Sequence, residues 1–146
     1  MAKIIWNKNI ELENKIEIEK YLTPFLWLVP QWCQKIEVNL TCANANYTAQ
    51  ILTRYEYRDA HLDVATDWLN QTAEKKTSDL VHELAHNFYN PLYLFALDNF
   101  DILLSENESA KYKQSMRESL RIFNELGTTD LAFAILNKFN EPKNAD

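Results

Sequence analysis

The first half of the chain alternates between helical and extended patterns of apolar residues. Residues 10–28 place apolar side chains among acids and lysines at helical spacing, which predicts an amphipathic helix that Pro24 bends or ends. Residues 35–40 alternate polar and apolar side chains and predict a strand. Residues 47–68 are rich in β-branched and aromatic side chains and predict two strands that meet near Arg58. We therefore expect a three-stranded sheet.

From residue 78 onward the apolar pattern becomes helical. Candidate N-caps lie at residues 77–79, and Pro91 is expected to end this helix near residue 89 or 90. Six apolar residues recur at the helical period and predict one buried stripe: Leu80, Val81, Leu84, Ala85, Phe88 and Tyr89. A further helix is expected over residues 91–104.

The C-terminal part of the chain predicts two more helices. Residues 106–126 have a helical pattern, and Gly127 suits the C′ position that ends a helix. Residues 128–139 predict a final short helix, and residues 139–146 a frayed tail. The whole pattern predicts a single α+β domain over residues 1–146.

Composition narrows the range of functions. The formal net charge of −6 argues against sequence-independent binding of nucleic acid, because such binding depends on clustered lysine and arginine. The longest apolar run, residues 25–30, is too short to cross a membrane, and no secretory signal is visible. Cys33 and Cys42 form no CxxC pair and are expected to be reduced core thiols of a cytoplasmic protein. A single glycine excludes glycine-rich phosphate loops. The oligomeric state stays open.

The segment His82-Glu83-Leu84-Ala85-His86 carries the clearest chemical signal. Because an α-helix turns once per 3.6 residues, His82 and His86 lie one above the other and can chelate one cation. Glu83 lies beside that cation without binding it, where its carboxylate can take a proton from metal-bound water. This spacing predicts a zinc site with Glu83 as general base.

A catalytic zinc site normally has three protein ligands, and the third is not fixed by this segment. No histidine follows His86, so the third ligand is an acid unless His61 contributes. The acidic candidates are Asp98, Asp101, Glu106, Glu108, Glu118 and Glu125. We prefer Glu118, which lies in the middle of a predicted helix near Ile122, where a buried carboxylate needs a partner. Glu125 lies two turns away, about 10 Å along the helix, so both cannot bind one ion.

Residues 82–92, followed by residues 117–123, resemble the minimal gluzincin-like metallopeptidases of bacteria and phages. This resemblance implies a zincin-like core in which a small sheet packs against the helix that carries the HExxH motif, with a sheet edge along the cleft. It also implies Zn²⁺ held by His82, His86 and Glu118, with Glu83 as general base and a peptide or protein as substrate. The longer gluzincins have Asn-Glu-x-x-Ser-Asp around the third ligand, whereas this chain has Arg117-Glu118-Ser119-Leu120-Arg121-Ile122.

The predicted function is therefore a zinc-dependent hydrolase that cleaves peptide bonds. In one alternative, the protein binds zinc but catalyses no reaction and serves as a catalytically silent, zinc-stabilised protein-binding module. Another is a metal-free structural or regulatory protein.

Overall fold

The computed structural model describes residues 2–43, 46–103 and 109–140, with the side chains of residues 100–103 left aside. The elements are β1 (Lys3–Trp6), α1 (Leu12–Leu22), a 3₁₀ segment (Thr23–Leu28), β2 (Lys35–Thr41), β3 (Ala49–Arg54), β4 (Asp59–Ala65), α2 (Ala73–Leu103) and α3 (Ala110–Asn140). The predicted α+β class is confirmed, and Pro24 lies where α1 gives way to the 3₁₀ segment.

The sheet has four strands in the order β1-β2-β4-β3, one more than the sequence predicted. The three predicted strands are β2, β3 and β4. The additional strand, β1, pairs in parallel with β2 and places Lys3 opposite Lys35. Its four residues are too few to show a periodic pattern, and its partner lies far along the chain, so local sequence could not reveal it. At the opposite edge, β3 runs antiparallel to β4.

One face of the sheet forms the core with the helices. Alternate residues of β2 and β4 are buried on this face, among them Ile36 and Leu62, and they share a continuous core with Leu84 of α2. The intervening residues lie on the other face, where the Asn39 amide donates a hydrogen bond to Asp63 across the two strands. This arrangement explains the alternating pattern in the sequence and fixes the strand register.

The turn between β3 and β4 is closed by ion pairs between the buried Asp59 and two partly exposed cationic side chains. Asp59 is 3% exposed and accepts two hydrogen bonds of 2.8 Å from the Arg54 guanidinium, while the Lys35 ammonium lies 3.3 Å away. Arg58 adopts the left-handed conformation that reverses the chain. The hydrogen bonds from Arg54, together with Lys35, hold the pKa of Asp59 below its usual range.

We expect Asp59→Asn to lower the free energy of unfolding by about 1–3 kcal/mol near pH 7, because the charge-assisted hydrogen bonds are lost. The pKa of Asp59 is lower in the folded protein than in the unfolded chain. Its ion pairs therefore stabilise the fold fully above the unfolded pKa of about 3.9, and this stabilisation is lost as the pH falls through the lower folded pKa. Urea denaturation of both proteins at neutral and strongly acidic pH measures this difference. A penalty that did not shrink in acid would contradict the ion-pair explanation, and exposed Glu56→Gln serves as control.

Helix α2 differs from its prediction at both ends. It begins at Ala73 instead of near residues 77–79, and the Thr72 hydroxyl accepts a hydrogen bond from the Lys75 backbone in its first turn. It also continues through Pro91 to Leu103, so the prediction that Pro91 ends it is wrong. Proline removes one helical hydrogen bond, but α2 also packs against α3, and tertiary packing of this kind supplies most of the stability of a helix in a folded protein. The predicted stripe is buried only as far as Ala85, since Phe88 and Tyr89 are exposed.

Helix α3 runs through Gly127, which the sequence predicted as a helix end. A Cβ atom at Gly127 would lie 3.2 Å from two ring carbons of Tyr89 on α2. The glycine therefore permits a close approach of the two helices and is not a C-cap. Residues 128–139 continue α3, which ends at Asn140, so most of the predicted frayed tail lies outside the described residues.

Two predictions from composition concern the cysteines and membrane association. Both cysteines are free, but only Cys33 is buried, so the prediction of a core position is wrong for Cys42. Over the described ranges, no helix combines the length and the apolar character that crossing a bilayer requires.

Candidate metal centre

His82 and His86 project from one face of α2, as their four-residue spacing predicts. Their ring centroids lie 4.9 Å apart and the rings are perpendicular. His86 is only 7% exposed, whereas His82 is partly exposed. The two imidazoles therefore form one wall of a site that solvent reaches from the His82 side.

Glu125 of α3 completes this group. Its Oε2 lies 3.6 Å from His82 Nε2 and 3.7 Å from His86 Nε2, and the three ligand atoms all lie within 4.8 Å of one another. These N···O distances are too long for hydrogen bonds. The two distances are close to about 3.4 Å, the separation between neighbouring ligand atoms on a tetrahedral zinc ion whose bonds are about 2.0–2.1 Å long. No other set of three potential ligands converges in this way within the described part of the chain.

Two imidazoles and one carboxylate are a donor set that leaves a coordination position open. The set suits zinc, and it suits nickel, manganese or iron as well. Burial lowers the pKa of His86, although the nearby Glu125 carboxylate opposes this shift. The low pKa favours the neutral imidazole, which is the form that binds a metal. His82, His86 and Glu125 therefore fit a divalent cation.

The Thr128 hydroxyl fixes the orientation of His86. It lies 3.2 Å from His86 Nδ1 and donates its own proton to the Asn124 carbonyl at 2.8 Å. A lone pair of the hydroxyl is then available to accept Nδ1–H, and in that tautomer the unprotonated Nε2 lies toward Glu125. The Asn124 amide nitrogen is the second polar atom near Nδ1, at 3.5 Å. A hydrogen bond of this kind on the far side of a ligand histidine tunes its affinity for the metal.

We expect Thr128→Val to weaken zinc binding by about 10–100-fold, because the side chain keeps its volume but loses the acceptor for Nδ1–H. Isothermal titration with zinc measures the change, and Thr129→Val, one residue further along α3, is the matched control. Equal affinities for the two variants would show that the Thr128 hydroxyl does not orient His86.

A chain of polar side chains ties α3, α2 and β3 together beneath the site. The Asn124 amide donates to Asn90 at 3.0 Å, and the Asn90 amide donates to the Thr53 hydroxyl at 3.1 Å. Thr53 in turn donates to Asn87, which is fully buried. Connected buried hydrogen bonds of this kind restrict the relative positions of the elements that carry them. They hold α3, and with it Glu125, against the histidines of α2.

Glu83 lies beside this group and is not part of it. Its Oε2 accepts a hydrogen bond of 2.7 Å from the Ile51 backbone N–H of β3, which holds the carboxylate in place and leaves the second oxygen available. Burial raises the pKa of Glu83 to about 8, the Glu125 and Asp79 carboxylates add to the increase, and the Ile51 N–H opposes it. Glu83 thus combines a fixed position with a pKa raised well above that of an exposed carboxyl group.

The site opens into a cleft of about 510 Å³ between α2, α3 and the edge strand β3. Its described lining residues are Asn46, Tyr47, Ala49, Gln50, Ile51, His82, Glu83, His86, Asn90, Tyr93, Arg121, Asn124 and Glu125. Both histidines, both carboxylates and the strand edge therefore face the same space.

Glu118, the preferred third ligand from the sequence, does not converge with His82, His86 and Glu125. Its side chain is 54% exposed and accepts two hydrogen bonds from Arg121. Since Glu118 lies on a solvated face of α3, its carboxylate needs no metal to compensate burial. The structure brings Glu125 to the histidines instead, one of the alternatives that the sequence left open.

The remaining candidates for the third ligand are placed elsewhere or lie outside the description. Asp98 accepts a hydrogen bond from the Tyr55 hydroxyl at 3.0 Å. His61 lies on β4, 3.3 Å from a Glu37 oxygen. Asp101 falls within α2, but its side chain is outside the described residues, as are Glu106 and Glu108.

The sequence contained a signal for Glu125. Asn124-Glu125-Leu126-Gly127-Thr128 matches the Asn-Glu-x-x-Ser part of the gluzincin pattern, with threonine in place of serine. Thr129 stands where that pattern has aspartate. The preference for Glu118 depended on the expectation that its carboxylate is buried beside Ile122, and its exposure removes that reason.

A scan against protein-family models and searches of curated proteins and of solved structures give no match. The chemistry of the centre therefore has to follow from its own residues. These are two imidazoles and a carboxylate that converge, a second carboxylate beside them, and a cleft bounded by a strand edge.

Proposed function

We propose that the chain is a zinc-dependent hydrolase, a gluzincin-like metallopeptidase whose sheet and helices form a zincin-like core. The observation that carries this proposal is the convergence of His82, His86 and Glu125, with Glu83 held beside them. The Asn124-Glu125 pair followed by Thr128 supports the gluzincin type, since it resembles the sequence around the third ligand in that family.

Zinc in such a site supplies a Lewis acid that polarises a carbonyl and acidifies water. The residues of the chain supply the proton transfers. Glu83, fixed by the Ile51 N–H, accepts the proton of the attacking water and passes it to the leaving nitrogen. A divalent cation held beside Glu83 would lower its raised pKa and favour the carboxylate form that accepts a proton. Tyr93, which lines the cleft, is our candidate hydrogen-bond donor to the developing oxyanion.

The edge strand β3 favours a peptide over a small molecule as substrate. It pairs with β4 on one side and lines the cleft on the other with Ala49, Gln50 and Ile51. An extended peptide can add to such an edge through hydrogen bonds to backbone groups other than the Ile51 N–H, which already donates to Glu83. A peptide bound in this way would pass the metal centre and Glu83.

Digestion of a proteome-derived peptide mixture tests this function. The zinc-loaded protein is expected to create new peptide termini that mass spectrometry identifies, and the chelated protein is expected to create none. Restoring zinc should restore the same cleavages. A fully loaded protein that cleaves no peptide in the mixture would contradict the proposal.

The second candidate is the catalytically silent, zinc-stabilised protein-binding module. It is favoured by large apolar side chains that α2 and α3 leave exposed: Phe88, Leu92, Phe95 and Phe123. Exposed apolar residues that lie near one another are common at protein interaction sites. This candidate predicts that zinc raises the melting temperature while the peptide mixture stays intact.

A further inference from the structure

A single cationic side chain reaches the cleft from α3. Arg121 lies one helical turn before Glu125 and lines the same space as the histidines. Among the described residues that line this cleft it is the only lysine or arginine, whereas Glu83 and Glu125 are both acidic. A fixed positive charge in an otherwise acidic cleft gives a bound anion one preferred position.

Glu118 orients the Arg121 guanidinium and leaves part of it available. The Glu118 carboxylate accepts from Nε at 3.0 Å and from Nη2 at 2.7 Å. A guanidinium has five N–H donors, so three remain, on Nη1 and on the outer side of Nη2. These donors form a fork that matches the two oxygens of another carboxylate. Glu118 therefore acts here as a support for Arg121.

We propose that Arg121 is a specificity-determining residue that binds a carboxylate of the peptide substrate, an inference that rests on the proposed peptidase function. The carboxylate is either the side chain of an aspartate or glutamate or the C-terminal carboxylate of the peptide. Four residues of α3 separate Arg121 from Glu125, about 6 Å along the helix. An extended peptide advances about 3.3 Å per residue. The recognised carboxylate therefore lies within about two or three residues of the scissile bond.

The test uses a peptide that the wild-type protein cleaves, made in four forms. The acidic residue nearest the scissile bond is kept or replaced by its amide, and the C-terminus is free or amidated. We expect removal of one of these carboxylates to lower kcat/KM of the wild-type protein by about 10–100-fold, the value of a charge-assisted hydrogen-bonded pair. Which of the two matters identifies the source of the carboxylate.

In Arg121→Gln the preference for the acid form over the amide form should disappear, because no cation is left to bind the carboxylate. The two forms should then be cleaved at similar rates. Arg117→Gln, one turn earlier on α3 and outside the described lining of the cleft, is the matched control and should keep the full preference. The ratio of kcat/KM values for two forms of one peptide does not change when part of the protein is misfolded or lacks metal. A loss of structure therefore cannot imitate the expected result.

Two outcomes overturn the inference while leaving the peptidase function standing. The first is a wild-type protein that cleaves all four forms equally well. The second is an Arg121→Gln protein that keeps the preference for the acid form. If its kcat/KM is also lower for all four peptides by the same factor, Arg121 affects the reaction in general; if kcat/KM is unchanged, Arg121 has no role in it. If the zinc-loaded wild-type protein cleaves no peptide, the proposed function fails and the inference fails with it.

Discussion

Glu83→Gln is expected to bind one zinc ion per chain with unchanged affinity and to cleave peptide substrates about 100- to 10,000-fold more slowly than the wild-type protein. Glutamine has nearly the same shape as glutamate, and its amide oxygen can still accept the Ile51 N–H bond. It cannot take a proton from water at neutral pH. Steady-state kinetics and zinc titration on the same preparations measure the two effects separately.

The matched control for this change is Glu74→Gln. Glu74 lies exposed in the first turn of α2, on the same helix as Glu83 and outside the described lining of the cleft. We expect this variant to retain both zinc binding and hydrolysis. A Glu83→Gln protein with full activity would remove Glu83 from the mechanism, and one without zinc would make Glu83 part of the metal site instead.

Glu125→Gln is expected to weaken zinc binding by about 100-fold or more, since even residues that act only through a metal ligand contribute about 10–100-fold. The matched control is Glu118→Gln, the same chemical change two turns earlier on α3. Because Glu118 bonds to Arg121 at the surface, this variant should bind zinc as tightly as the wild-type protein. Competition with a chromophoric chelator measures both affinities.

The opposite order of affinities would restore the assignment that the sequence favoured. A large loss in Glu118→Gln together with none in Glu125→Gln would mean that α3 is shifted by about two turns along its axis relative to the histidines. Equal and small effects would mean that His82 and His86 hold the ion without an acid from α3.

Local patterns in the sequence predicted those parts of the molecule that depend on neighbours along the chain. Alternation located β2, β3 and β4, because one face of each strand is buried and the other is not. The spacing of His82 and His86 placed both rings on one face of a helix, which requires only helical geometry.

The parts that could not be predicted depend on contacts between distant segments. Pro91 and Gly127 are both strong local signals for the end of a helix, yet both lie inside long helices. Each helix is continuous because α2 and α3 pack along their length, and Gly127 contributes by admitting the ring of Tyr89. Tertiary packing therefore overrode a local preference at both positions.

The sequence analysis did not place Glu125 with His82 and His86. Glu118 and Glu125 are seven residues apart and lie on nearly the same face of α3, so a choice between them requires the position of α3 along α2, which local sequence does not contain. Arg121 also escaped notice, because an arginine on a helix gives no sequence signal that it faces a cleft. Arg121 became recognisable only once the two helices were packed together, whereas Asn124-Glu125 followed by Thr128 already stood in the sequence as a signal for Glu125.

A crystal structure of the zinc-soaked protein, with anomalous data on both sides of the zinc absorption edge, tests the central claim most directly. We expect one strong anomalous peak in the cleft, about 2.0–2.1 Å from a nitrogen of His82 and of His86 and about 2.0–2.2 Å from an oxygen of Glu125. A cleft without a peak, or an ion bound to Glu118 and not to Glu125, would contradict the metal centre described above.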